Sequence, residues 1–362
     1  MDSQLKKFRK VLIVATIDKH IESFHLPFIE ELYKNGYLVD VASNGTATFP
    51  FVNQKFNIPF TRNPISKDNW KSYKQLKKII NDNVYDIIHC HTPVGGAVGR
   101  LAAKKSNSKV VYTAHGFHFY KGAPIKNWLV FYPIEKYLSK YTDLLITINN
   151  EDYKLAKSKF KSKQIEYILG VGIDVDNIKK MDIDTDIREE LCLNESEKII
   201  LSVGELNDNK NHQLIIKILS KLKSENVVYL IAGEGPLKYE LKKISEKYNS
   251  NGKVIFLNYR NDIISLMKQA DLFVFPSKRE GLPVSMMEAM ACEIPILSSD
   301  IRGSNDLILN DMMKFNLKDS ETKIIKKIDY FLENGNNNYK NDINRLDRKN
   351  INNYMIELYN HI

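Results

Sequence analysis

The chain has 362 residues, 43% of them hydrophobic and 27% charged, with a formal net charge of +9. That length leaves room for two domains with full cores, and the composition argues against a disordered chain. No apolar run approaches the ~20 residues that cross a bilayer, and three widely separated cysteines, Cys90, Cys192 and Cys292, argue against a disulfide framework.

The charged start, residues 1–10, leads directly into an apolar strand at 11–15. That run is too short for a signal-peptide core, so a cytoplasmic protein is expected. Further strands are expected at 38–42, 86–90, 110–113, 144–148 and 165–168, with helices at 24–34, 72–81 and 128–139. Lys67, Lys71, Lys74, Lys77 and Lys78 cluster beside Trp70 and Tyr73 on an amphipathic helix. Such a basic face suits anionic lipid headgroups, although solvated lysines explain it as well. Residues 174–197 form a polar segment without strong periodicity. Alternation then resumes, with strands at 199–203, 227–232, 254–257, 272–275 and 294–298. Helices at 211–223, 237–248, 262–269 and 283–291 separate or follow them. A polar, Asn-rich loop at 334–341 precedes a closing helix. The expected class is therefore α/β, with two Rossmann-like domains of parallel sheet at 1–172 and 173–340, and a closing helix at 341–362 that packs back. No internal sequence repeat is visible.

The first strand runs into Thr16-Ile-Asp18-Lys-His20 rather than a Gly-x-Gly-x-x-Gly turn, so no dinucleotide cofactor is expected there. Glycines do follow the third strand, in His91-Thr-Pro-Val-Gly95-Gly96-Ala-Val-Gly99, where close helix-on-sheet packing is the leading reading. His89 and His91 flank Cys90, and His115 and His118 flank Gly116-Phe117. Adjacent parallel strands would bring these four imidazoles to one edge. The usual metal-ligand spacings are absent and no carboxylate accompanies them, so satisfied or substrate-facing histidines are expected rather than a metal.

In the second half, four consecutive strands deliver polar or glycine-rich turns to one edge. They are Gly204-Glu-Leu-Asn-Asp-Asn-Lys210-Asn-His212, Gly233-Glu-Gly235-Pro236, Asn258-Tyr-Arg260, and Glu280-Gly281-Leu282-Pro283-Val284 running on to Glu288. A lysine at a strand's carboxyl end can neutralise a diphosphate. The N–H groups of a helix start attract phosphate, and two carboxylates beside them suit a ligand carrying hydroxyls as well.

With these motifs in their order, together with Thr113-Ala-His115-Gly116 and Ser299-Asp-Ile-Arg302-Gly303, the chain resembles a family 4 glycosyltransferase. That is a retaining group with the GT-B fold of two domains facing across a cleft, and the resemblance covers roughly residues 8–310. The variants Gly-Glu-Leu-Asn and Thr-Ala-His-Gly-Phe-His-Phe-Tyr resemble the bacterial branch that builds capsular, exopolysaccharide and glycan-carrier saccharides. The resemblance implies transfer of a hexose or N-acetylhexosamine from a UDP-sugar to a polyprenyl-diphosphate-linked saccharide. It implies same-face attack assisted by the leaving phosphate, no cofactor or metal, no nucleic-acid partner, and peripheral contact with the inner membrane face.

By the same resemblance Glu280 faces the donor sugar and Glu288 the ribose, while Lys210, Gly204, Gly233 and the turn Gly281, Leu282, Pro283 and Val284 hold the diphosphate. Arg260 lies against the base, and His115 approaches the donor sugar from the first domain. His118, Asp18 and His20 fall on the acceptor side. The family often has an arginine where this chain has Glu205, so diphosphate binding rests on Lys210 alone or recruits Arg279 or Arg302. Two other readings share this architecture: a UDP-sugar 2-epimerase, and a catalytically weak sugar-nucleotide-binding subunit.

Overall fold

The structure, a computed structural model, describes residues 9–224, 226–248, 252–335 and 343–362. Most of the expected Asn-rich loop and the charged start therefore lie outside the described residues. The chain divides into two compact units, one of residues 1–171 with 349–362 and the other of residues 172–348.

The first unit holds seven strands: β1 (Lys10–Ile17), β2 (Leu38–Asn44), β3 (Gln54–Asn57), β4 (Ile87–His91), β5 (Lys109–Ala114), β6 (Leu144–Thr147) and β7 (Gln164–Tyr167). Every pairing is parallel, in the order β3-β2-β1-β4-β5-β6-β7. Six helices cover the sheet: α1 (Asp18–Phe24), α2 (Leu26–Lys34), α3 (Lys67–Asp82), α4 (Pro93–Ala103), α5 (Ile125–Leu138) and α6 (Asn150–Lys159). Parallel strands covered on both faces need apolar residues at successive positions, and all five residues of β4 are buried. The sheet accordingly has two cores, one on each face. The helix expected at 24–34 is broken at His25. Pro27 has no N–H to carry a helix through this point, but it is tolerated in the first turn of α2.

The C-terminal helix Arg348–His361 packs on the first unit, placing Ile351, Met355, Leu358 and Tyr359 in the core beside Val11, Ile13 and Val39.

The second unit repeats the plan with β8 (Lys198–Val203), β9 (Val227–Ala232), β10 (Gly252–Asn258), β11 (Leu272–Phe275), β12 (Ile296–Ser299) and β13 (Lys314–Phe315), all parallel in the order β10-β9-β8-β11-β12-β13. Its helices are α7 (Val175–Lys180), α8 (Ile187–Glu190), α9 (His212–Leu219), α10 (Lys238–Tyr248), α11 (Ile263–Gln269), α12 (Val284–Ala291), α13 (Ser304–Leu307) and α14 (Glu321–Asn334). The segment read as lacking periodicity at 174–197 contains α7 and α8. The polar stretch after Asp306 contains α14, capped by the Ser320 side chain and closed by Gly335 in the left-handed region.

The glycines of α4 serve packing. A Cβ on Gly96 would lie 2.4 Å from the Tyr112 ring, and one on Gly99 would lie 2.5 Å from Cys90 Sγ. Tyr112 cannot move aside easily, because Arg100 lies 3.8 Å over its ring and is itself paired with Glu135 at 2.8 Å. Gly96→Ala is expected to cost about 1–3 kcal/mol through overpacking. A urea midpoint equal to wild type would show that α4 can shift freely.

Candidate functional site

In each sheet the strand order reverses once, between β1 and β4 and between β8 and β11. Ligands bind such folds outside the carboxyl ends of the strands at the reversal. In the second unit, Lys210 follows β8 and Glu280 follows β11, and the two side chains meet: Lys210 Nζ lies 2.9 Å from Glu280 Oε1. Lys210 also stands over the Phe275 ring, 4.7 Å from its centre. Asn side chains fix the loop that carries it. Asn207 accepts from the Lys210 N–H at 3.0 Å, Asn209 donates to the Arg279 carbonyl at 2.9 Å, and Asn211 donates to the Pro276 carbonyl at 3.1 Å.

Gly204 and Gly233 let two strand-end loops close on each other. A Cβ on Gly233 would lie 2.0 Å from the Gly204 carbonyl oxygen, and one on Gly204 would lie 2.9 Å from Lys210 Cε. Both glycines therefore shape the ground on which Lys210 stands. Behind it His212 is buried, and burial with the nearby Lys210 charge lowers its pKa to about 4.

Helix α12 begins after Pro283, with Gly281 and Leu282 in the preceding turn. The first N–H groups of a helix have no helical acceptor and carry its positive end. Val284 opens that turn, so the lysine, the helix start and the Glu280 carboxylate stand at the ends of two adjacent strands. Of the two arginines offered in place of Glu205, Arg302 reaches this loop, its Nε donating to the Glu280 carbonyl at 3.3 Å, whereas Arg279 is exposed. Glu205 itself accepts from Asn207 at 2.9 Å. Further along α12, burial pushes the Glu288 carboxyl up to about 7 against the opposing pull of Arg348.

Arg260 is committed elsewhere. Its guanidinium donates to both oxygens of Glu190 at 2.7 and 3.0 Å, and to both of Asp262 at 2.8 and 2.6 Å. These bonds take four of its five N–H donors and fix the plane of the guanidinium.

In the first unit the reversal gathers histidines. His91 Nδ1 lies 3.3 Å from His115 Nε2, and the rings of His20 and His25 pack against both. Burial lowers the pKa of His20 to about 4 and those of His89 and His115 to about 3, and holds His25 and His91 well below the usual range. His89 lies behind them, bonded to Tyr359 at 2.6 Å and to Thr113 at 2.8 Å.

His118 is not one of the clustered imidazoles, and its ring packs on Phe131 at 4.7 Å. His118 and His20 instead share the lining of a cavity of about 460 Å³ with Thr16, Val94, Phe131 and Ile134. Asp18, expected on the acceptor side, is held by partners within the first unit. Burial raises its pKa, but Ser43 at 2.6 Å, the Ala47 N–H at 2.9 Å and Lys55 at 3.0 Å outweigh this and hold it below the usual range. It is a buried strut that ties the start of α1 to the end of β2, the loop after it and β3.

These features define an α/β fold of two units, each built on a parallel sheet. The glycosyl transferases group 1 family matches residues 183–349, and a glycosyl transferase 4-like family matches residues 10–149. EpsD of Bacillus subtilis strain 168, provisionally named a glycosyltransferase, is 41% identical over 86% of this chain and 84% of its own length. An Escherichia coli enzyme named UDP-Gal:alpha-D-GlcNAc-diphosphoundecaprenol alpha-1,3-galactosyltransferase is 30% identical over 68% of this chain and 65% of its own. Among solved structures, Anabaena HepE in complex with UDP and glucose superposes with a TM-score of 0.79 at 17% identity, covering 98% of this chain and all of that one. The chain belongs to the glycosyltransferases, and its fold is GT-B.

The sequence reading missed His25, hidden inside an apparently continuous helix, and the charge of Arg348 near Glu288. The burial of Glu288, which outweighs the Arg348 charge, has a measurable consequence. A carboxyl raised from 4.5 to about 7 holds a proton in the native state that the unfolded chain has lost. Its contribution to stability is present below about pH 4.5 and is lost as pH rises through about 7. The melting temperature of Glu288→Gln minus that of wild type should therefore grow from pH 5 to pH 8. A difference independent of pH would refute the buried, protonated carboxyl.

Proposed function

We propose that this glycosyltransferase moves a hexose or N-acetylhexosamine, with retention, from a UDP-sugar to a polyprenyl-diphosphate-linked saccharide in surface polysaccharide assembly. The observation that carries this reading is the Lys210–Glu280 pair at the strand reversal of the second unit, beside the start of α12. A diphosphate brings negative charge that Lys210 and free helix N–H groups can stabilise as it develops on the leaving group. No metal is needed on this reading, since lysine and helix start supply the positive field. Once Lys210 turns to phosphate, Glu280 is free to accept hydrogen bonds from donor-sugar hydroxyls. Glu288 serves the ribose diol, the flat face of Arg260 the base, and His115 the transfer step. The names of the Escherichia coli relative and of the HepE complex support a UDP-linked donor, and the former supports a lipid-diphosphate acceptor.

The first unit suits that acceptor. Helix α5 carries Ile125, Leu129, Val130 and Ile134 as exposed apolar side chains, 77% and 72% exposed for the first two, with Lys126 and Lys136 on the same helix. Val130, Phe131 and Ile134 of α5 and Asn69 of α3 line the 460 Å³ cavity. On α3, Trp70 is 61% exposed and stacks on Tyr73, with Lys74 over the Trp70 ring and Lys77 over the Tyr73 ring. Apolar side chains with lysines beside them match the boundary between acyl chains and anionic headgroups. Among the described residues no helix is long and apolar enough to cross a membrane, so the contact proposed is peripheral.

Radiolabelled UDP-sugars incubated with the enzyme and lipid-linked acceptor test the reading directly. Label entering the lipid fraction is expected, and release of an epimerised sugar or no turnover would overturn it. Glu280→Ala should abolish that transfer while UDP affinity stays within a few-fold. A fully active variant would remove Glu280 from the donor-sugar role. Charge-assisted hydrogen bonds contribute about 1.5–3 kcal/mol, so Lys210→Ala should weaken UDP binding roughly 10- to 150-fold by calorimetry. Leu129→Glu should cut co-sedimentation with anionic liposomes and leave UDP affinity unchanged, whereas undiminished co-sedimentation would place the membrane face elsewhere.

A further inference from the structure

The transfer reading uses His115 alone, yet four imidazoles converge at the edge of the first sheet. One nitrogen from each of His20, His25, His91 and His115 lies within 4.8 Å of those of the other three. They come from α1, the break between α1 and α2, the end of β4 and the residue after β5. The 3.3 Å from His91 Nδ1 to His115 Nε2 equals the spacing of about 3.3–3.4 Å between tetrahedral ligands that stand about 2.0–2.1 Å from a central ion.

Hydrogen bonding within the chain accounts for only part of the set, the contact between His91 Nδ1 and His115 Nε2. His25 and His91 are 4% and 2% exposed, and Nε2 of His20, His25 and His91 has no partner among the described residues. Buried polar atoms are almost always partnered, and exceptions call for an explanation. His89 makes the contrast, because both of its nitrogens are hydrogen-bonded. A cavity of about 40 Å³ lies against His25, His91 and His115, more than the ~10–15 Å³ that a single water requires.

We propose that His20, His25, His91 and His115 form a binding site for a divalent transition ion, zinc foremost. A set of imidazoles alone suits zinc, copper, nickel or cobalt, whereas magnesium and calcium take oxygen ligands. The ion would tie the α1–α2 junction to the ends of β4 and β5. One consequence rests on the transfer reading of His115: an occupied site withdraws that imidazole from substrate, so zinc inhibits transfer. Binding itself does not depend on that reading.

The test uses the tag-free full chain, stripped with EDTA and titrated with cobalt(II). One equivalent should bind with the intense visible bands of a tetrahedral nitrogen-ligated ion, zinc should displace it, and magnesium should not. Zinc should also raise the melting temperature. His25→Ala and the less buried His20→Ala should each weaken cobalt binding at least tenfold, while His361→Ala retains it. No binding at micromolar cobalt, octahedral spectra, or binding undiminished in both site variants would overturn the proposal. Zinc that binds as described yet leaves transfer unchanged would uphold the site and remove His115 from the transfer step.

Discussion

Reversal of strand order in a parallel sheet is the constraint on which the rest of this molecule depends. On either side of the reversal the connecting helices leave toward opposite faces, and the strand ends between them are left uncovered. In the second unit β8 and β11 flank that gap, which is why Lys210 and Glu280, 70 residues apart in sequence, end 2.9 Å from each other. In the first unit β1 and β4 flank it, and the chain fills the place with histidines.

The two edges handle charge in opposite ways. At the second, charge is kept and paired: lysine with glutamate, beside the positive end of α12. On the proposed reading such a pair is half-prepared for an anion, because an arriving diphosphate takes the place of the Glu280 carboxylate and leaves Lys210 paired throughout. At the first, burial keeps the imidazoles neutral. That edge offers lone pairs and apolar walls rather than a field. A diphosphate-carrying donor fits the second, while a saccharide on a lipid, or a metal ion that binds neutral imidazole, fits the first.

How much of this was legible in the sequence follows from the range of the interactions. A buried strand such as 227–232 announces itself because covered parallel strands are largely apolar, whereas 87–91, just as buried, carries His89 and His91. The edge strands β3 and β13 are short and only partly buried, and α14 is a polar helix that its caps reveal better than its composition. The turn-bearing motifs of the second unit were readable because each follows a strand directly. Single charged residues were not. The partner of Asp18, Lys55, lies on another strand, and that of Arg260, Glu190, sits in a segment without visible periodicity, so neither ion pair could be read from local sequence. His25 was hidden because a helix pattern passes through it while Pro27 breaks the backbone.

The asymmetry at Glu205 can be argued from the same parts. An arginine there would add a second fixed charge beside Lys210, but this chain has a carboxylate held by Asn207. Asn207 in turn accepts from the Lys210 backbone, so the acidic residue helps to set the loop that aims the lysine. Arg302 donates to the backbone carbonyl of Glu280 from the turn after β12. Positive charge therefore approaches this edge from the far side of β11 as well as from β8. Lys210 and Arg302 thus offset Glu205 and Glu280 at this edge, and on the proposed reading the diphosphate is held by Lys210, the start of α12 and Arg302 together.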